Sequence, residues 1–313
     1  MAKETELSTY RGYSKALTEL EKNNREIAVV ESQKTVHEGD NSANDRIVVS
    51  LGEQNLVLTA AGLALSGRRV FVNAPYSPLY ISRSYEQIRA TVAVPNLKVT
   101  LSSLQGSDSH DRAGAARQMY EDIALMRLMP NMSVLVPCDM TAAYRLTYAA
   151  ALHNGPSYLR LSDNDGLSVY EDGDCDFHIG GARLLREGDG VTICACGIMV
   201  KEALVAEKIL SQQGISVEII DCYSVKPFPE QMLVASVRRT GCCVVAEKHT
   251  GIAGLYGAVT ECLCKNYTVP VKSVSIADDF GQSGTPEELQ EYHGLTSREI
   301  VHNVIQVLAM RRR

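Results

Sequence analysis

The 313-residue chain has no long hydrophobic run. Its longest apolar stretch, residues 56–65, is interrupted by Thr59, far short of the ~20 apolar residues that cross a bilayer. No membrane span is expected. Excess positive charge is missing too. Lys and Arg total 31 against 37 Asp and Glu, a net charge of −6, and the one basic cluster is Arg311-Arg312-Arg313. Such a chain is poorly built to hold the phosphates of a nucleic acid. The nine cysteines lack the even count and regular spacing of a disulfide framework, and no C-x-x-C pair exists to hold zinc. No metal is expected on this chain. The opening MAKETELSTYRGYSK carries no apolar run, so no secretory signal is expected and the location read from the sequence is cytoplasmic. G-x-S-x-G, a Walker-type G-x-x-x-x-G-K, and G-x-G-x-x-G after a strand are all absent.

What is present is an alternation of strand-like and helix-period runs. Helices are expected over 53–66, 82–92, 119–129 and 141–153, with strands over 69–74, 97–102, 133–138 and 157–161. The pattern then breaks at 162–176, an aspartate-rich segment with two glycines that reads as a linker burying little. A second alternation follows, with strands over 191–196, 216–222, 242–247 and 271–276 and helices over 200–213, 229–239 and 252–265. Thr296-Ser-Arg-Glu299 then reads as a capping box, with Leu295 and Ile300 as its hydrophobic staple. The fold class is α/β: two tandem domains, each a mainly parallel sheet flanked by helices. The expected divisions are 1–165, a linker at 166–180, and 181–313.

The segment 47–89 carries the chemistry. A strand leads into Ser50-Leu-Gly-Glu53, and an apolar helix follows. Pattern alone reads Ser50 as an N-cap and Glu53 as the residue that closes its capping box.

The same stretch resembles the pyrimidine-binding domain of the transketolase superfamily. The family's G-[I/V]-x-E-Q motif stands here as Leu51-Gly52-Glu53-Gln54 after Ser50. Arg83-Ser-Tyr85-Glu86-Gln87-Ile88-Arg89 is similar to its R-A-Y-D-Q-I-R. Residues 120–132, YEDIALMRLMPNM, resemble its I-E-D-I-A-L-M-R-x-x-P-N-M run, and Gly155-Pro-Ser-Tyr-Leu-Arg160-Leu161 fits as well. The second half resembles the transketolase C-terminal domain through Gly197-Ile-Met-Val200, Ile219-Ile-Asp221 ahead of Val225-Lys-Pro227, residues 247–254 (EKHTGIAG) and residues 278–289 (DDFGQSGTPEEL). Each motif alone is short; their ordered set covers nearly the whole chain.

The resemblance implies thiamine diphosphate as cofactor. In the family a glutamate hydrogen-bonds the aminopyrimidine ring, so that the cofactor acts as its own base. Glu53 is the catalytic residue implied here, with Gln54 beside it. Tyr80 is implied as the ring stacked on the pyrimidine and Tyr76 as its alternate. The implied substrate-facing set is Arg83, Gln105, His110, Arg117, Gln118 and His249. The family's D-G-x-[T/S]-H-Q loop reads Ala113-Gly-Ala-Ala-Arg117-Gln118. By this resemblance Arg117 replaces a histidine, and Gln105 corresponds to a second one about a dozen residues earlier. Arginine stays protonated, so it binds anions rather than moving protons. The loop therefore points either to an altered substrate or to lost activity.

Gly188-Asp189-Gly190 imitates the opening of the family's metal–diphosphate motif. The next asparagine is Asn266, too distant to complete it, and Asp-Gly before a strand reads as a turn. The resemblance thus implies half of a split enzyme. A separate diphosphate-binding, N-terminal transketolase-like subunit would supply the Mg²⁺ site, in an α₂β₂ heterotetramer that transfers a two-carbon ketol unit to an aldehyde. The alternatives are a beta-type component of a 2-oxo acid dehydrogenase and a non-catalytic scaffold.

Overall fold

The computed structural model describes residues 8–32, 46–49, 52–74, 79–105, 114–162, 168–171 and 176–311; the side chains of Gln105 and Arg117 are not among those described. Along the first half run α1 (Thr9–Asn23), β1 (Ile27–Glu31), β2 (Ile47–Val48), α2 (Glu53–Leu65), β3 (Arg69–Ala74), β4 (Val99–Gln105), α3 (Asp122–Leu128), β5 (Ser133–Leu135), α4 (Met140–Leu152) and β6 (Ser157–Ser162). The second half holds β7 (Arg183–Arg186), β8 (Val191–Ala195), α5 (Met199–Gln212), β9 (Val217–Asp221), β10 (Ser224–Lys226), α6 (Glu230–Thr240), β11 (Cys243–Thr250), α7 (Leu255–Asn266), β12 (Val271–Ile276), α8 (Pro286–Tyr292) and α9 (Ser297–Met310). Two sheets result, ordered β10-β5-β6-β4-β3-β1-β2 and β12-β11-β8-β9-β7. Among the described residues every pairing is parallel except β10 with β5 and β7 with β9. The expected α/β class and parallel sheets are therefore present.

The alternation arises from local chemistry. β3 (RVFVNA) and β8 (VTICA) are short β-rich runs buried on both faces, as a helix-covered parallel sheet demands. α1 was not anticipated, although its buried Tyr13, Ala16, Leu17 and Leu20 recur at helical spacing and Ser8 caps it by accepting the Arg11 N–H. It packs along α4. The single helix expected over 82–92 is instead broken. Turns at Tyr80–Arg83 and Tyr85–Gln87 precede a π-helical Ile88–Ala93, in which the Val94 N–H bonds the Arg89 carbonyl. β-Branched Ile88, Thr91 and Val92 favour α-helix only weakly, and Pro95 cannot continue it.

The two halves interlock. β10 lies in the second half of the chain yet extends the first sheet by pairing with β5. Lys226 at its end donates to the carbonyls of Arg127 and Met129 as α3 closes. The connecting segment buries more than its composition implied. The Val169 and Tyr170 N–H groups bond Asp139 Oδ2 at 2.8 Å each, and the Tyr170 hydroxyl reaches Asp221 at 2.7 Å. Phe177 joins the Tyr170 and Tyr223 rings at 5.0 and 4.9 Å. Two aromatic residues outweigh the aspartates around them, because each buries a large apolar surface.

Gly188 and Gly190 lie so close to the backbone of Ser216 and Val217 that a side chain has no room, and the Asp189 N–H bonds the Ser216 hydroxyl. The triplet is thus a bend entering β8, as the turn reading expects. Leu295 and Ile300 are buried, and Thr296 caps α9 by accepting the Glu299 N–H. Eight described cysteines are free and seven of them buried. No helix among the described residues is long and apolar enough to cross a membrane.

Candidate active site

In a parallel α/β sheet, ligands collect beyond the carboxyl ends of the strands. Glu53 lies in that position, as the first residue of α2 just after β2. Gly52 is the N-cap, with extended backbone and no side-chain cap. Ser50 is outside the described residues, and because the helix starts at Glu53, this residue is not the third-position partner that a Ser50 capping box requires. Its carboxylate instead accepts from Arg83 Nη1 at 2.9 Å, with the Glu53 side chain 30% exposed and that of Arg83 62% exposed. Gln54 Nε2 bonds the Arg83 carbonyl at 3.4 Å. Glu53, Gln54 and Arg83 thus form one unit at the start of α2, held by a charge-assisted hydrogen bond from the guanidinium. Arg83, expected to face the substrate, is committed to Glu53.

The other expected residues are distributed differently. Tyr80 is fully buried, and its hydroxyl donates to the Ser102 carbonyl at 2.9 Å. Burial holds that phenol well above its ordinary pKa. The ring presents no open face for stacking, because the short turn at Tyr80–Arg83 points it into the core. Tyr76 and His110 lie outside the described residues. Gln105 ends β4, and Arg117 ends the single turn Ala115–Arg117. Gln118 Nε2 donates to the Gln282 carbonyl at 2.8 Å, and Gly281 packs so tightly on its side-chain oxygen that a Cβ would collide. A loop of the second half therefore seats against the segment before α3, a contact that local sequence gave no sign of.

His249 departs most from expectation. It is fully buried. Its Nδ1 lies 2.8 Å from the Thr250 carbonyl, and its Nε2 accepts the Ala124 N–H at 3.2 Å. Burial pushes its pKa down to about 4, keeping the imidazole neutral. It ties β11 to the start of α3. A signal for this existed: in β11 the alternation CVVAEKHT puts Glu247 and His249 on one face and Lys248 on the other.

His249 belongs to a buried polar seam between the sheets. Asp122 Oδ2 accepts from Tyr158 at 2.5 Å and from Arg160 Nε at 2.8 Å. Glu247 accepts the first N–H groups of α7, from Leu255 at 2.7 Å and Tyr256 at 2.8 Å. Burial raises Glu247 to about 7 and Asp221 likewise to about 7. Gly254 touches Glu247 and His249 and leaves no space for a Cβ.

Family models match both halves: transketolase, pyrimidine binding domain over residues 7–166, and transketolase, C-terminal domain over residues 180–300. The chain is 37% identical over 262 residues to a 6-deoxy-6-sulfo-D-fructose transketolase subunit from Clostridium sp. (strain MSTE9), covering 83% of this chain and 80% of that one. It is 29% identical over 301 residues to an apulose-4-phosphate transketolase subunit from Phocaeicola vulgatus, covering 95% and 96%. A solved structure described as a split gene transketolase, inactive beta4 tetramer, matches with a TM-score of 0.90 at 36% identity, covering 97% of this chain and 99% of that one.

Proposed function

The chain belongs to the transketolase family, as a transketolase-like transferase subunit of a split enzyme, and we propose that its Glu53 serves the aminopyrimidine of thiamine diphosphate held between this chain and a separate diphosphate-binding partner. The observation that carries this reading is the Glu53–Arg83 pair. It is the one carboxylate described above that stands on the first turn of a long helix, beyond a sheet's carboxyl edge, and is still partly open. The residues fit the pyrimidine half of the cofactor: an accessible carboxylate held in place, able to share a hydrogen bond with a ring nitrogen. Mg²⁺ and the diphosphate are assigned to the partner, because the Gly188-Asp189-Gly190 bend is spent on chain geometry and lacks its asparagine. An α₂β₂ assembly in the cytoplasm completes the proposal.

Bound thiamine diphosphate supplies the nucleophilic carbon. This chain's part is to orient it and to move one proton. Glu53 holds or yields the hydrogen at the ring nitrogen, Arg83 fixes the carboxylate, and Gln54 fixes the Arg83 backbone. Gln118, braced on Gln282, sets the loop that carries Arg117. An arginine there suits an anionic sugar, and both relatives are named for such substrates, a sulfo-sugar and a sugar phosphate. We therefore assign Arg117 to the substrate's anionic group and the reaction to transfer of a two-carbon ketol unit from an anionic ketose. The relatives' names favour this over 2-oxo acid dehydrogenation.

The test is co-expression with the diphosphate-domain partner, followed by a donor screen with phosphorylated, sulfonated and neutral ketoses. Turnover of an anionic ketose is expected. Cofactor binding without turnover of any ketose would contradict the reading, and an assembled pair that binds no cofactor would leave the scaffold alternative standing.

A further inference from the structure

The polar seam ends in a small cleft between the sheets. It is lined by Val136 and Pro137 after β5, by Arg160, Leu161 and Ser162 on β6, by Cys196, Gly197 and Ile198 before α5, and by Lys248. These segments lie at the carboxyl ends of strands in both sheets, the position where α/β folds place ligands. Two features converge there. α5 is a fourteen-residue helix whose N-cap, Ile198, offers no side-chain cap, preceded by Gly197 at φ +56°. The helix start, with its positive dipole end, therefore lies beside the cleft, although the Val200 and Lys201 N–H groups turn back onto the Gly197 and Ile198 carbonyls. Arg160 is 6% exposed, and while its Nε is spent on Asp122, its Nη2 is buried with no hydrogen-bond partner among the described residues. A buried donor left unmade is costly, and this one sits on a guanidinium whose counter-ion, Asp122, also serves Tyr158 through the same oxygen.

We propose that this cleft binds one small inorganic anion of halide size, held by Arg160 Nη2 and the N-terminus of α5. Helix starts and guanidinium groups both hold anions. The cleft is part-open, and its room for a water-sized centre is about 20 Å³, which suits one small ion. The site is separate from Glu53 and does not depend on the cofactor reading. Because its walls come from both sheets, occupancy clamps the two halves together and stabilises the folded chain.

The direct test is diffraction from crystals of the full chain grown in sodium bromide, read at the bromine edge. An anomalous peak within hydrogen-bonding reach of Arg160 Nη2 is expected. A cleft that holds only water overturns the proposal. In solution, unfolding is followed as chloride replaces gluconate, an anion far larger than a halide, at constant ionic strength. Above the binding midpoint, a tenfold rise in chloride should raise the folding equilibrium constant by up to about tenfold. Arg160→Lys keeps the charge beside Asp122 but lacks Nη2, and should abolish that chloride dependence. Equal dependence in the two proteins, or none in the unaltered one, overturns the proposal. Should Arg160→Lys fail to fold, the bromide peak in the unaltered chain decides.

Discussion

Carboxylates occur in two regions of this molecule and are treated in opposite ways. At the mouth of the first sheet, Glu53 is partly open and is met by one arginine that is itself mostly exposed. In the seam between the sheets, Asp122, Asp221 and Glu247 are sealed from solvent and bonded to tyrosine hydroxyls, a guanidinium or helix N–H groups. The seam holds the two halves in register, and Glu53 is left able to make one more bond. The buried carboxyls here are structural, while the chemistry is assigned to the one that a ligand can still reach.

The largest effect that separates the regions is expected at Glu53. Glu53→Ala should lower turnover of the assembled enzyme by about 10²–10⁴-fold. The stability of the isolated chain, followed by urea unfolding, should change by less than about 1 kcal/mol, since an exposed ion pair contributes little. Asp122→Ala should do the reverse. It strands the Arg160 guanidinium in the seam, and calorimetry or urea unfolding should show a loss of about 3–5 kcal/mol. A stable Asp122→Ala chain would break the contrast.

A smaller effect concerns pH. Asp221 and Glu247 keep their protons to about pH 7 in the folded chain, whereas unfolded carboxyls lose theirs near pH 4. Their stabilisation is therefore complete below about pH 4 and lost as pH rises towards 7. His249, with its pKa lowered to about 4, acts in the opposite sense: its contribution is complete above about pH 6.5 and lost as pH falls towards 4. Asp221→Asn should remove one of the two carboxyl slopes, up to ~1.4 kcal/mol per pH unit between pH 5 and 7, as measured by urea unfolding at several pH values. An unchanged slope would show that Asp221 is ionised in the fold. The smallest effect is expected at Gln118. Gln118→Ala removes its bond to Gln282, costs about 1 kcal/mol of stability, and should raise KM for the anionic substrate more than it lowers kcat.

Much of this was legible in the chain. Period and turn chemistry placed β3 and β12 to the residue and located the paired α/β halves. Topology was not legible where it depends on distant pairing. Nothing in Ser224-Val225-Lys226 shows that three residues of the second half will complete the first sheet, and nothing local joins Glu53 to an arginine thirty positions away. The linker was misjudged on average polarity, although Tyr170 and Phe177 decide its burial. Tyr80 and His249 were assigned by likeness of motif, yet the alternation around His249 already put it on the buried face with Glu247.

The most direct measurement is hydrogen–deuterium exchange at the reactive ring carbon of thiamine diphosphate in the assembled two-component enzyme, comparing the unaltered chain with Glu53→Gln. If Glu53 governs the cofactor's proton, exchange should slow by at least about two orders of magnitude while cofactor affinity stays within a few-fold. Exchange at the unaltered rate in the Glu53→Gln enzyme, with cofactor bound, would contradict the account.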